Sequence, residues 1–317
     1  MKEGSQVQQH GGFEYGVKHF LSPEENLLSS TLQSCLDLSL KDSSELIQLG
    51  SIYINGKRVL KDLNLAENTY IRAHTKPRRY KFPKSTELLI LKEEKDFLII
   101  NKPSGIPVHP TVDNFEENLI YFLQNKLNTP LYITHRLDVP TSGLIVFAKT
   151  QSFQQYFNTQ LSLGRVEKKY SAITLPSITG VLSSQTFPIT LQHWMEKSPK
   201  APKILHNCNF SDSLSCELQI ESIQTLKLNS SQEINTFFEL QIRLITGRTH
   251  QIRAQLSFLN SPILNDQMYG APILNESESK FISDWLKIEP LGEFIALRCN
   301  EISFEDPIHK NKLLFSI

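Results

Sequence analysis

The stretch HRLDVPTSGLIVFAK, His135 to Lys149, changes character halfway along. Its first half is polar and closes on Thr-Ser-Gly, ordinary turn chemistry. Its second half, Leu144 to Ala148, has the length and composition of a strand too apolar to lie exposed. A carboxylate, Asp138, is thereby held in a loop at the mouth of a buried strand, with Arg136 two residues away. Two readings are open at this point. Residues i and i+2 share a strand face, so Arg136 simply neutralises Asp138 in a structural ion pair. Alternatively, Asp138 is a reactive carboxylate, since perturbed acids cluster at functional sites.

Two further polar clusters interrupt apolar surroundings. NKPSGIPVHP, Asn101 to Pro110, is a turn-rich loop directly after a strand, and TGRTHQIRAQLS, Thr246 to Ser257, is a turn running into a helix. Arg248 and Arg253 in that last segment are five residues apart, so on a helix at most one of them points toward a site alongside His250. Around these clusters strand patterns dominate from Glu87 onward. ELLILKEEKDFLIINKPSG reads as a hairpin, and LIVFAKT, KKYSAITL and the alternating FFELQIRL read as further strands. Helical patterns fall at Asn118 to Lys126, Gln151 to Leu163 and His250 to Phe258. Many strands with few intervening helices predict an α+β fold, a long mixed and mostly antiparallel sheet with peripheral helices.

The chain has 317 residues, which favours two domains. Hydrophobic residues make up 39% and charged residues 21%, excluding a fibrous or wholly disordered chain. No apolar run reaches the length of a membrane span, and the polar start MKEGSQVQQHGG carries no signal-peptide core, so a cytoplasmic protein is expected. Lys+Arg and Asp+Glu balance at 33 each, which argues against a general polyanion-coating protein but leaves room for a local basic groove. The four cysteines, Cys35, Cys208, Cys216 and Cys299, are too scattered for a disulfide framework. A metal site from His206, Cys208 and Cys216 is conceivable, although reduced thiols in or near a core are the simpler account. Neither a GxGxxG nor a Walker motif is present, so a nucleotide cofactor lacks support.

The N-terminal part divides into a mobile tail over 1–19 and a compact module over 20–75. Leu27, Leu28, Leu32 and Leu36 recur at helical spacing, with Ser22 and Glu25 as a capping box. A second helix over Asp42 to Leu49 ends at Gly50, a strand follows from Ser51 to Ile54, and Asn55-Gly56 signals a hairpin. Between Arg72 and Lys84, RAHTKPRRYKFPK has six basic residues, two prolines and no acid. Its core, 76–86, reads as a basic linker, either a solvated hinge or a phosphate contact with Tyr80 or Phe82 stacking.

A resemblance chooses among the open readings. HRLDVPTSGLIVFAK matches without a departure the HRLDxxTSGxxxxAK signature of the RluA-type RNA pseudouridine synthase family. KPSGIPVHP resembles that family's first motif, KKYSA its tyrosine motif and GRTHQIRAQLS its third motif, while SPILNDQMYG and LRCNEISFEDP resemble its closing segments. The matches run in order from about Glu87 to Pro307, which makes 87–317 the catalytic domain. The resemblance implies isomerisation of specific uridines to pseudouridine in ribosomal or transfer RNA by base flipping, in a monomer needing no metal or organic cofactor. It makes Asp138 the catalytic carboxylate and Arg253 its ion-pair partner. Tyr170 would stack on the uracil, Leu297 would form an apolar wall and Arg136 would enter the RNA stack as the uridine leaves. His135, Thr141, Arg248 and His250, in the same motifs, would face substrate or RNA. Asn265 stands where the family usually has glycine, and Asn tolerates the positive φ of such a turn.

The N-terminal module resembles, in degenerate form, the ribosomal-protein-S-four-like RNA-binding domain. LSLKDSSEL replaces its usual basic stretch and Glu67-Asn68 its glycine-aspartate pair, while Lys57, Arg58 and Lys61 remain on the hairpin. The competing reading from another class is a non-catalytic RNA-binding or RNA-chaperone protein that keeps the synthase fold. A carboxylate-dependent hydrolase lacks a second well-placed acid or base.

Overall fold

The apolar half of the opening stretch forms a strand, Ser142–Ala148, whose seven residues are all buried. It lies in the larger of two compact units. The computed structural model describes residues 16–87, 89–176, 186–229 and 234–317, with the backbone of the short strands Gly4–Gln6, Gln9–His10 and Phe13–Glu14. Leu88, the start of one expected apolar run, and residues 1–3, 7–8, 11–12 and 15 of the expected tail lie outside the described residues. The units are Met1–Lys81 with Pro107–Asn125, and Phe82–Ile106 with Lys126–Ile317.

The first unit is built on β1 (Val17–Leu21), α1 (Leu28–Leu36), α2 (Leu40–Gln48), β2 (Ile52–Ile54), β3 (Lys57–Val59) and β4 (Tyr70–His74). Its sheet runs Gly4–Gln6, β1, β4, β2, β3. The end of the expected tail is thus a paired strand, because Val17 to Leu21 supplies an edge to β4. The helices cover one core of Leu28, Leu32, Leu46, Ile47, Ile52, Leu65, Ile71 and Ala73. Leu27 of the expected helical stripe is instead exposed.

Two local expectations change. Ser22 does not cap α1. It is buried, its Oγ donates to the Ala66 carbonyl at 2.6 Å and accepts from the Thr69 amide at 2.8 Å. The free amide of Ser29 is taken by Asp62 at 2.9 Å, a partner too distant in sequence for a capping pattern to reveal. The capping of α2 is local: Ser39 Oγ accepts from the Asp42 amide at 3.1 Å. Asn55 and Gly56 both take positive φ, the conformation of a type I′ hairpin turn.

The basic linker also changes meaning. Asp113 binds Arg78 through both carboxylate oxygens, at 3.0 and 2.6 Å, and accepts from the Arg78 amide at 2.8 Å. Glu117 receives Arg79 at 2.8 Å, and Glu45 also pairs with Arg79. These pairs explain why residues 107–125, expected in the catalytic domain, cluster with the first unit. They also remove two of the stretch's cations from phosphate binding.

The second unit holds the large sheet. Its strands are β5 (Ile90–Glu93), β6 (Phe97–Lys102), β7 (Ser142–Ala148), β8 (Glu167–Thr174), β9 (Ile189–Met195), β10 (Leu205–His206), β11 (Leu214–Asn229), β12 (Ile234–Leu244), β13 (Leu297–Glu305) and β14 (Lys312–Ser316). The order is β5-β6-β7-β13-β8-β12-β11-β9-β10, with the two-residue strand Tyr132–Ile133 beside β7 and β14 beside β13. All pairings are antiparallel except β7 with β13, so the sheet is mixed and mostly antiparallel. Four helices accompany it in sequence: α3 (Leu119–Leu127), α4 (Gln151–Ser162), α5 (Gln251–Phe258) and α6 (Glu276–Leu286). The first of these spans the division between the units.

The parallel junction is short and tight. Ser142 and Gly143 face Arg298 and Cys299, and a Cβ on Gly143 would fall 2.2 Å from the Cys299 carbonyl oxygen. Gly143 also holds φ at +107°. Only glycine lets β13 approach here, which fixes the loop before β7 against the middle of the sheet. We predict that Gly143→Ala costs roughly 3 kcal/mol or more, combining backbone strain with overlap. Gly164→Ala, at φ +68° with no atom within 4 Å of its added Cβ, costs only about 1 kcal/mol. Thermal unfolding of the two variants beside the parent checks the contrast.

Candidate active site

Four separate segments of the second unit meet in one cleft. It is lined by the loop before β7 (Arg136, Asp138, Thr141), by β8 (Lys168, Tyr170), by the turn into α5 with its first residues (Arg248, His250, Arg253), and by Leu297 of β13. Arg136 and Arg248 are exposed at the cleft, whereas Tyr170 and Leu297 are buried in its wall.

The electrostatic centre is Arg253. Its Nε and Nη2 donate to the two oxygens of Asp266, at 2.7 and 2.8 Å, a bidentate pair with both side chains buried. Its remaining nitrogen, Nη1, points to Asp138 Oδ2 at 3.4 Å. The guanidinium also lies over the Tyr269 ring, 5.0 Å from its centre. Burial opposes the charged guanidinium, but the hydrogen bonds and charge of Asp266, with Asp138 adding to them, hold its pKa above the ordinary arginine value. Asp138 is 24% exposed, against 3% for Arg253 and 1% for Asp266. One buried cation therefore has one carboxylate that it anchors to and another that it offers to the cleft.

His250 begins α5 with φ at +58°. Its Nδ1 is 3.1 Å from the Tyr269 hydroxyl and its Nε2 is 3.9 Å from Asp138 Oδ2. Burial lowers its pKa even though Asp138 pulls it up, so near neutrality the imidazole is uncharged and is a dipolar neighbour of Asp138. The helix starts only at Gln251, so Arg248 lies in the preceding turn. The helical spacing rule does not apply to it, and Arg248 and Arg253 both line the cleft, contrary to the sequence expectation.

Tyr170 follows Lys169 at a bulge between β8 and β13, opposite Cys299. Burial, then Cys299 and Asp138, push its phenol well above its ordinary pKa, so it stays protonated. Thr141 closes the turn with its amide on the Asp138 carbonyl at 3.1 Å, and its Oγ1 finds no protein partner. Asn265 takes φ +67° where glycine is usual, and its amide donates to the Phe294 carbonyl at 2.7 Å, a bond glycine cannot make.

His135 is a correction. It was expected to face RNA, but it is buried outside the cleft lining, its Nε2 accepts the Val146 amide at 3.1 Å, and its ring stacks on Phe157. Burial, reinforced by Lys168, pushes its pKa down to about 3. It is a neutral histidine that holds the loop to β7. Nor do Cys208, Cys216 and His206 assemble: Cys216 is buried with Sγ 3.6 Å from the Leu214 carbonyl, and His206 pairs with Glu196 at 2.9 Å.

Sequence reasoning missed Asp266, Tyr269, Lys102 and Lys168. The available signal was polar groups inside apolar contexts, an acid in ILNDQMYG and lysines in FLIINK and EKKYSA. Lys102 is fully buried and donates to the carbonyl oxygens of Pro103, Ile106 and Val139 at 3.0, 2.9 and 3.2 Å. Burial pushes its pKa down to about 7 against the pull of Asp138. It ties the first motif's loop to the residue that follows Asp138.

Comparisons with known proteins place the chain in a family. The sequence profile for RNA pseudouridylate synthases matches residues 96–258. The chain is 30% identical to ribosomal large subunit pseudouridine synthase C of Buchnera aphidicola, over 96% of this chain and 94% of that one. It is 29% identical to the chloroplastic RNA pseudouridine synthase 6 of rice over 68% of its own length, and spans about half, 48%, of that longer relative. The human RNA pseudouridylate synthase domain containing 1 shares the fold, with a TM-score of 0.55 at 18% identity over 75% of this chain and 86% of that one. The chain belongs to the RNA pseudouridylate synthase family, a class of RNA-modifying isomerases.

Two outcomes test the electrostatics. Asp266→Ala leaves a buried guanidinium half-paired, and its expected cost of about 3–5 kcal/mol is measured by denaturant unfolding. For His135, the unfolded chain binds a proton below its ordinary pKa of 6.5 while the folded imidazole resists until about 3. Stability conferred by the neutral ring is therefore lost as pH falls through that window. His135→Gln, which keeps an acceptor for the Val146 amide, should flatten this acid-side loss in a series of melts.

Proposed function

We infer that this chain converts uridine to pseudouridine in RNA with Asp138 as its catalytic carboxylate. The single observation that carries the reading is the carboxylate in the cleft, held against a guanidinium that a second, buried carboxylate fixes in place. A charged carboxylate is what nucleophilic attack on a ribose carbon requires. In the proposed sequence, the bond from uracil nitrogen 1 to ribose carbon 1′ breaks and its electron pair leaves with the base. An Asp138 oxygen bonds to carbon 1′. The base rotates, carbon 5 attacks carbon 1′ and releases the carboxylate, the proton on carbon 5 passes to water, and nitrogen 1 takes up a proton. Atoms and charge balance without redox change.

Tyr170 and Leu297 would enclose the flipped uracil between apolar faces. Because the Tyr170 phenol is held protonated, stacking fits it better than acceptance of the carbon 5 proton. Arg136 and Arg248, exposed at the cleft, suit the vacated RNA stack and the phosphates beside it, and Thr141 keeps an unpaired hydroxyl buried in the cleft wall. Their contacts must offset the few kcal/mol needed to extrude a base. The RNA would be ribosomal or transfer RNA, the enzyme a monomer, and the compartment the cytoplasm. No helix among the described residues is long and apolar enough to cross a membrane. Nothing in the cleft favours a scaffold that has lost its chemistry, since Asp138, Tyr170 and Arg253 remain together.

Mapping pseudouridine in total RNA from cells lacking the protein, beside the parent and an Asp138→Ala complement, tests the reading. One or a few sites should vanish in the deletion and stay absent in the complement. With purified protein, Asp138→Asn should abolish turnover while RNA affinity stays within about threefold. A parallel loss of binding would argue against the division of roles.

A further inference from the structure

Lys168 and Lys169 are adjacent on β8, and the sheet treats them oppositely. Lys169 turns outward to Glu221 at 3.2 Å and Glu301 at 3.7 Å. Lys168 turns inward with Tyr170 and lines the cleft, only 8% exposed. Among the described residues its ammonium makes no ion pair and no hydrogen bond. The titratable groups closest to it in effect, Cys299 and His135, are neutral: burial pushes the Cys299 thiol up to about 12 and His135 down to about 3. Gly247 lies beside it, close enough that a Cβ there would make an ordinary van der Waals contact with Nζ at 3.5 Å.

An ammonium withdrawn from water beside neutral groups is costly to the fold. No carboxylate among the described residues reaches ion-pair distance of it, Asp138 across the same cleft included, so a group that enters the cleft can supply the partner. Two anionic groups arrive with a nucleotide, the phosphates and the base once its bond to ribose breaks. Depth separates them. The exposed Arg136 and Arg248 lie where the backbone would pass, whereas Lys168 is buried two residues along the strand from the Tyr170 ring, roughly 7 Å by strand rise.

We propose that Lys168 is a further catalytic residue, whose ammonium donates a hydrogen bond to a carbonyl oxygen of the flipped uracil as negative charge develops there. This rests on the pseudouridine synthase reading and deepens it. As the bond between nitrogen 1 and carbon 1′ breaks, its electron pair delocalises onto the base oxygens, and Lys168 stabilises that charge without giving up its proton. Such a preorganised donor acts on the departing base more strongly than on the resting uridine, so its loss lowers the rate rather than the affinity.

The test uses the full chain and total RNA labelled with tritium at uridine carbon 5, taken from cells lacking the protein. Tritium release under single-turnover conditions reports the chemistry, and filter binding of the same RNA reports affinity. Lys168→Met should slow release by about 10²–10³-fold, the range for removing one such donor. Its RNA affinity should stay within about threefold. Its melting temperature should equal or exceed the parent's, because a buried unpaired charge has been removed. Lys168→Gln, which keeps a neutral donor, and Lys168→Arg should be slowed less than Lys168→Met. A Lys168→Met rate within threefold of the parent overturns the assignment, as does an affinity loss that matches the rate loss, which would mark a phosphate contact. A lowered melting temperature in Lys168→Met, with no recovery of rate in Lys168→Gln or Lys168→Arg, assigns the residue to the fold and also overturns it. Release by the parent that disappears in Asp138→Asn secures the underlying activity independently. Absence of release from the parent defeats that activity and this assignment together.

Discussion

One guanidinium shared between two carboxylates governs the site. Arg253 spends two of its nitrogens on Asp266 and leaves the third for Asp138. The fork geometry of arginine makes this possible, since a lysine ammonium would hold neither the plane nor the direction. Burying such a cation is unfavourable until Asp266 satisfies it, and once satisfied it cannot swing away from the cleft. Asp138 can then remain partly solvated and pointed into the cleft, while its partner is dry. The Tyr269 ring beneath the guanidinium and the His250 imidazole beside it complete a shell of neutral groups that adds direction without competing charge.

Buried lysines extend the same logic. Lys102 satisfies all three donors with backbone carbonyls and so serves geometry, tying the first loop to the segment after Asp138. Lys168 has no such acceptors. Two buried basic side chains, Lys168 and Arg253, line one cleft in a chain whose formal net charge is zero. The neutral total is therefore no guide to the local field, because Arg253 has its acids beside it in Asp266 and Asp138 while Lys168 has none at ion-pair distance among the described residues. Asp113 and Glu117 likewise neutralise Arg78 and Arg79 in the first unit.

The sheet explains how distant segments converge. The parallel contact of β7 with β13 brings the loop carrying Asp138 beside Leu297, and β8 enters antiparallel on the other side of β13 with Tyr170 opposite Cys299. The closeness of that junction depends on the missing side chain of Gly143. A bulge between Lys169 and Tyr170 adjusts the register at the cleft wall, a common device where a strand must aim a functional side chain.

The alternation of apolar residues made the strands legible, because period and burial are local properties. The motifs that carry Asp138, Tyr170, Arg253 and Leu297 were legible too, and the fold brings these four residues to one cleft. His135 misled because a motif records that a residue is present, not which way its ring turns. Here the ring turned inward to accept the Val146 amide. Asp266 was invisible as a partner for Arg253, and Asp113 as a partner for Arg78, because ion pairs across 13 or 35 positions leave no periodic trace. By itself the sequence determined the strands, the mixed sheet and the family. Tertiary structure alone decided which charges are compensated and which are left waiting in the cleft, because compensation depends on distances between segments that the chain brings together only by folding.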